Sequence, residues 1–161
     1  MASYEALIKK ITTAEINRVQ REGAFTRWAY FVDEAAGKAG VVAANDTTFA
    51  AYSVNDDPDP KLTEFGQEPI SELVLTPDPA FLVVSAGENA FQAVLFTSPA
   101  VLVEDDFAEG FDYTLALNWQ QFLQSRGVKL NKGSTGLSAK HIFMGAILVL
   151  IILFVLVAIV G

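Results

Sequence analysis

Residues 81–96 read FLVVSAGENAFQAVLF, two apolar runs on either side of a short glycine-bearing turn. Residues 81–84 and 90–96 are rich in β-branched and aromatic side chains, and Ser85-Ala86-Gly87-Glu88-Asn89 joins them, which is the pattern of a β-hairpin. Both runs are nearly continuous in apolar character, so the hairpin is expected to be central and covered on both faces. A central hairpin needs neighbours, and several candidate strands lie upstream. Residues 28–32, opening with Trp28, are aromatic and β-branched; DEAAGKAG (33–40) reads as a turn, with residues 41–43 returning as the partner strand. Residues 49–54 are a further candidate. NDDPDP (55–60) is a loop, because Pro58 and Pro60 cannot sit in a central strand. Residues 73–75 form a short strand that ends at Thr76-Pro77-Asp78-Pro79.

Helices are expected before and after this sheet. Leu7, Ile8, Ile11, Ile16 and Val19 make a helical stripe over residues 4–22, with Gly23 as the C-cap. Thr12 and Glu15 have the spacing of a capping box, so the helix can break at Thr12. The stripe has no aromatic residue and reads as packing on the domain. The alternative is a membrane-surface helix carrying Lys9, Lys10, Arg18 and Arg21. Downstream, Glu104, Asp105 and Asp106 are placed to open a long helix, where the dipole favours acids. Phe107, Phe111, Leu115, Trp119 and Phe122 follow at helical spacing and are the expected packing face. Full burial of each is worth about 1.5–3 kcal/mol. Gly110 interrupts this helix, and Gly127 ends it. The fold class is therefore α+β (or α/β): residues 1–23 as an N-terminal helix, and 24–126 as one domain with a mixed or antiparallel sheet and a long packing helix.

The C-terminal stretch has a different composition. Residues 142–160 read IFMGAILVLIILFVLVAIV, without charge or proline. A helix of that length spans about 28 Å, close to the ~30 Å of a bilayer's hydrocarbon core. Its Ile, Leu, Val and Phe side chains favour insertion by about 5–9 kcal/mol. The expected domain 141–161 is thus one transmembrane helix, including Ile142, Phe143, Gly145, Leu148, Leu153, Phe154 and Val160. It carries no polar side chain, which argues against ion conduction through it. Residues 127–140, GVKLNKGSTGLSAK, are expected to be a basic Gly/Ser-bearing tether. Arg126, Lys129, Lys132, Lys140 and His141 are the expected contacts to the membrane interface. By the excess of Lys and Arg there, the large domain is expected on the cytoplasmic side of a tail-anchored, single-pass protein. The absence of cysteine fits a reducing compartment.

Charge is segregated along the chain. Residues 1–32 carry five bases and three acids, residues 33–112 two bases and sixteen acids, and residues 113–140 four bases and no acid. The net charges of +2, −14 and +4 sum to the chain's −8. Basic ends suit anionic headgroups at about 1 kcal/mol per residue. The acidic middle either keeps the domain in solution or is a docking face. No basic patch with interleaved aromatics is present, so nucleic acid is not an expected partner.

No catalytic, metal-binding or cofactor-binding constellation is legible. The domain has no Cys or His, no P-loop and no dinucleotide fingerprint. Asp57 to Glu68 departs from an EF-hand loop, with Lys61 at position 5 and no glycine at position 6. The order strand, tight turn, strand, Ser98-Pro99 and an FxxxF…W helix resembles the end of a phospholipase-D-like half-domain over residues 73–123. The family's catalytic His-x-Lys is missing, so the resemblance implies a catalytically empty regulatory version. Three classes follow. The first is a non-catalytic accessory or structural subunit of a membrane assembly, with lipid and other subunits or copies of itself as partners. The second is a membrane-tethered ligand-binding or regulatory module. The third, an enzyme with a carboxylate site, has the least support.

Overall fold

The structure, a computed structural model, describes residues 2–131. Met1, Lys132, Lys140, His141 and the predicted span 142–160 lie outside the described residues. The described chain is an α+β domain with a large mixed sheet and few helices.

Two short helices open it, α1 (Tyr4–Lys9) and α2 (Thr13–Gly23). The chain breaks between them because Thr12 is extended and its hydroxyl accepts the Glu15 N–H at 3.2 Å, as the capping spacing predicts. Ser3 caps α1 in the same way. The left-handed residue after α2 is Ala24, not Gly23. Gly23 is needed for space: a Cβ there would lie 2.0 Å from the Phe25 ring. The stripe Leu7, Ile8, Ile16 and Val19 is buried, so these helices belong to the domain rather than standing apart from it.

The strands follow as β1 (Arg27–Asp33), β2 (Lys38–Ala44), β3 (Thr48–Val54), β4 (Leu62–Pro69), β5 (Val74–Thr76), β6 (Leu82–Ala86) and β7 (Asn89–Phe96). A two-stranded ribbon, β8 (Leu102–Val103) and β9 (Asp106–Phe107), precedes α3 (Thr114–Ser125), and β10 (Lys129–Leu130) ends the described chain. The main sheet has the order β10-β5-β6-β7-β1-β2-β3-β4. It is two antiparallel meanders, β1–β4 and β5–β7, joined where β1 pairs with β7 and Tyr30 lies opposite Phe96. Among the described strands only β10 runs parallel to its neighbour, β5.

This order forces the sheet to curl. β4 and β5 stand six strand spacings apart, about 29 Å in a flat sheet. The chain between Pro69 and Val74 reaches at most ~18 Å. The rings agree: Phe65 of β4 and Phe91 of β7 approach to 6.3 Å across the concave face. Two cores result, one on each face. Inside the curl lie Phe31, Phe49, Leu75, Leu82, Phe91 and Leu95, with Trp119, Phe122 and Leu123 of α3 packed onto them. Outside, α1 and α2 pack on Tyr30, Val41, Ala43, Tyr52 and Phe96, with Trp28 at the margin. Strand alternation sorts the two sets: in β1, Ala29 and Phe31 point inward, Tyr30 and Val32 outward.

The predicted long helix is shorter than expected. Glu104 (φ 52°), Asp105 (φ 67°) and Gly110 (φ 80°) are left-handed, which a right-handed helix excludes. Glu104 and Asp105 instead make the turn between β8 and β9. Phe107 and Phe111 meet at a tilt, 4.6 Å between ring centres, and join the outer core, while Leu115, Trp119 and Phe122 serve the inner one. The expected single face is thus split across the two sides of the sheet. Just before the helix, Asp112 accepts from the Thr114 N–H and hydroxyl at 2.9 and 2.8 Å.

Of the predicted tether 127–140, only residues 127–131 are described. Val128 is buried, and Lys129 and Leu130 pair with Val74 and Leu75, so residues 127–130 belong to the domain.

Truncating Trp119 to alanine is expected to cost about 3–5 kcal/mol in urea unfolding, since it is fully enclosed by the inner core. A second pair of variants tests the sheet. A Cβ on Gly40 would sit 1.9 Å from the Tyr52 carbonyl oxygen, whereas Gly66 faces open space. Gly40→Ala is expected to destabilise by about 2 kcal/mol, and Gly66→Ala by less than about 0.5 kcal/mol.

Candidate functional site

α3 closes one end of the curled sheet. Gln120, buried, donates to the carbonyl oxygens of Asp78 and Phe81 at 2.7 and 3.1 Å in the β5–β6 loop. Arg126 pairs with Asp46 in the β2–β3 turn at 2.8 Å. The Arg27 guanidinium lies 3.9 Å over the Phe122 ring, and Arg126 lies 5.0 Å from it. Burial, and then the neighbouring Arg126 charge, make Arg27 less basic than an ordinary arginine.

Among the described residues no helix closes the opposite end. Between β4, the β1–β2 turn and the β6–β7 hairpin lies a cavity of about 370 Å³. Its floor is aromatic and aliphatic: Phe49, Phe91, Leu73 and Val84 are buried there. Phe65 stands at its wall and is 39% exposed. A β-bulge sets that position, since Ala51 pairs with Gly66 and Tyr52 with Glu64, leaving Phe65 unpaired between them. Phe65 lies 5.8 Å from Phe31 and 6.3 Å from Phe91, and Phe91 passes contact on to Phe49 at 5.7 Å. Phe49 in turn meets Trp119 at 6.4 Å, so ring contacts run from the mouth to α3. The polar groups at the mouth are Glu68, Glu88, Asn89 and Ser85, which include two carboxylates and no base.

A second depression, about 780 Å³, lies between α2 and the β3–β4 edge. Its central cation, Arg18, is already engaged by Glu15 at 2.8 Å, Glu22 at 2.8 Å and the Leu62 carbonyl at 2.8 Å. Glu15 also accepts the Leu62 N–H at 3.0 Å. The network fastens α2 to the start of β4 and so holds the edge strand that carries Phe65. The Arg18 hydrogen bond keeps the Glu15 carboxyl below its usual value, the Leu62 N–H and nearby positive charge acting the same way and burial opposing them.

Of the residues singled out from sequence, Arg126 is committed to Asp46 and the Phe122 ring, and Lys129 lies in the exposed edge strand β10. Trp28 meets Tyr30 edge-on at 5.2 Å. Among the described residues no cluster of His, Cys, Asp and Glu is arranged to hold a metal ion. The cavity residues were not anticipated. Their one signal is Phe65, a lone large apolar side chain in the polar run TEFGQEP (63–69). The order behind the phospholipase-D-like resemblance is also altered, because Ser98-Pro99 opens a 3₁₀ turn, Pro99–Val101, rather than a helix. No family model matches the chain, and no curated protein is similar to it.

Acid is expected to weaken the α2–β4 clamp. A carboxyl whose folded value lies below its unfolded one stabilises the fold fully above pH ~4.5 and loses that contribution as pH falls through the folded value. The urea midpoint is expected to drop below that pH, and Glu15→Gln to lower it at neutral pH while flattening its acid dependence.

Proposed function

We propose that this chain is a single-pass membrane-anchored protein whose acidic domain serves as a non-catalytic accessory subunit of a membrane protein assembly. The observation that carries the reading is the open end of the sheet, where Phe65 is held half out of the core over an aromatic cavity rimmed by Glu68 and Glu88. Apolar surface kept available in this way suits a partner rather than a reaction, because the groups around it offer shape and negative charge. The anchor is residues 142–160, by composition; among the described residues no helix is long and apolar enough to cross a membrane. A cytoplasmic position follows from the Lys and Arg beside the span.

Mild-detergent extraction followed by size-exclusion chromatography with mass analysis tests the assembly. A stable complex with other subunits is expected. A monomer that gains thermal stability with a small metabolite would favour a tethered ligand-binding module instead, a reading to which the 370 Å³ cavity also lends support. Topology has its own test. In sealed vesicles the domain is expected to be cut by protease added from the cytoplasmic side. Replacing Lys129, Lys132 and Lys140 together by glutamate is expected to flip or release the anchor.

A further inference from the structure

We infer that the cavity at the open end of the sheet binds a short peptide segment of a partner, one bulky apolar side chain flanked on both sides by Lys or Arg. The inference rests on the accessory-subunit reading and gives its docking site a chemistry. Three observations carry it. The cavity, about 370 Å³, is at the small end of the range for ligand pockets and is floored by Phe49, Phe91 and Leu73, so it takes an apolar group. Phe65 is placed by the bulge to close over that group, its ring already braced on Phe31 and Phe91. Glu68 on β4 and Glu88 at the β6–β7 turn then stand on different walls of the same cavity. Carboxylates on two walls around an apolar floor complement a segment with cations on either side of its anchor.

The surroundings extend the match. Residues 33–112, which supply every wall of the cavity, have a net charge of −14, so a basic segment is attracted from well outside contact range and an acidic one is repelled. Among the described residues β4 is also the last strand of the sheet, with one edge paired to no other strand.

The test uses the full chain in nanodiscs of neutral lipid, panned against a random dodecapeptide phage library with empty nanodiscs as the counter-selection. The expected consensus is an aromatic or leucine residue flanked by Lys or Arg. Synthetic consensus peptide is expected to bind more weakly as salt rises. Phe65→Ser is expected to lower its affinity about tenfold or more, and Glu68→Gln and Glu88→Gln about threefold each. The two glutamine variants change only carboxylates at the mouth, so they keep the test decisive if Phe65→Ser perturbs the fold. An acidic or uncharged consensus, no enrichment over empty nanodiscs, or binding indifferent to all three substitutions would overturn the inference. So would a dimer of the chain itself that Phe65→Ser dissociates, since a second copy would then be the occupant. A stable complex in size-exclusion chromatography without basic-apolar selection would sink this docking chemistry and leave the accessory-subunit reading standing.

Discussion

Four residues, 70–73, connect a strand at one edge of the eight-stranded sheet to a strand close to the other. Most of the domain depends on that short connection. It cannot cross a flat sheet, so the sheet rolls until its edges approach, and the concave face becomes an enclosed core. Ile70 and Leu73, within the connection, are themselves buried in that core, so the link is fastened at both ends by the packing it brings about. α3 closes one end through Gln120, Arg126 and the rings of Trp119 and Phe122. Among the described residues the other end has no such helix, and the cavity is the space that remains.

The same roll explains the contacts between Phe65, Phe31, Phe91, Phe49 and Trp119. These side chains come from β4, β1, β7, β3 and α3, and only curvature brings them within ring contact. Edge-to-face and tilted pairs of this kind contribute about 0.5–1.5 kcal/mol each beyond area burial. Their continuity means that the exposed ring at the mouth rests, through successive contacts, on the helix that closes the far end. On the outer face, Arg18 and Glu15 secure β4 from behind.

How much of this was legible in the sequence differs by element. β1, β2 and β3 are buried on both faces, between α1 and α2 outside the sheet and the rolled core within, and near-continuous apolar runs announce them; similar runs announce β6 and β7, although there only the inner face is covered throughout, with Ala90 and Gln92 exposed on the other. β4 escaped notice for the opposite reason: it is an edge strand, largely exposed, with Glu64, Glu68 and Pro69, and its residues look like a loop. The Thr12 cap was readable because its chemistry is local. The extent of α3 was not, because Phe107 and Phe111 repeat at helical spacing while belonging to the other side of the sheet. The left-handed conformation of Glu104 and Asp105 is held by tertiary contacts, with the Glu104 N–H donating to Glu5 and Asp105 accepting from the Glu5 N–H. No local pattern signals that. The cavity was invisible for a related reason, since its walls lie between Ala36 and Phe91 and meet only once the sheet has rolled.

The seam between β1 and β7 has a consequence for how the chain reaches this fold. Within each meander, strands pair with near neighbours, and such contacts form quickly. Tyr30 and Phe96, opposite each other across the seam, are separated by about half of the described chain. The β1–β4 meander can therefore be in place while the ribosome is still delivering β7, with the outer edge of β1 uncovered in the interval. That edge carries Trp28, Tyr30, Phe31 and Val32, a stretch well suited to pairing with a stranger. The edge of β1 is thus open to mispairing during synthesis, before residue 96 has emerged.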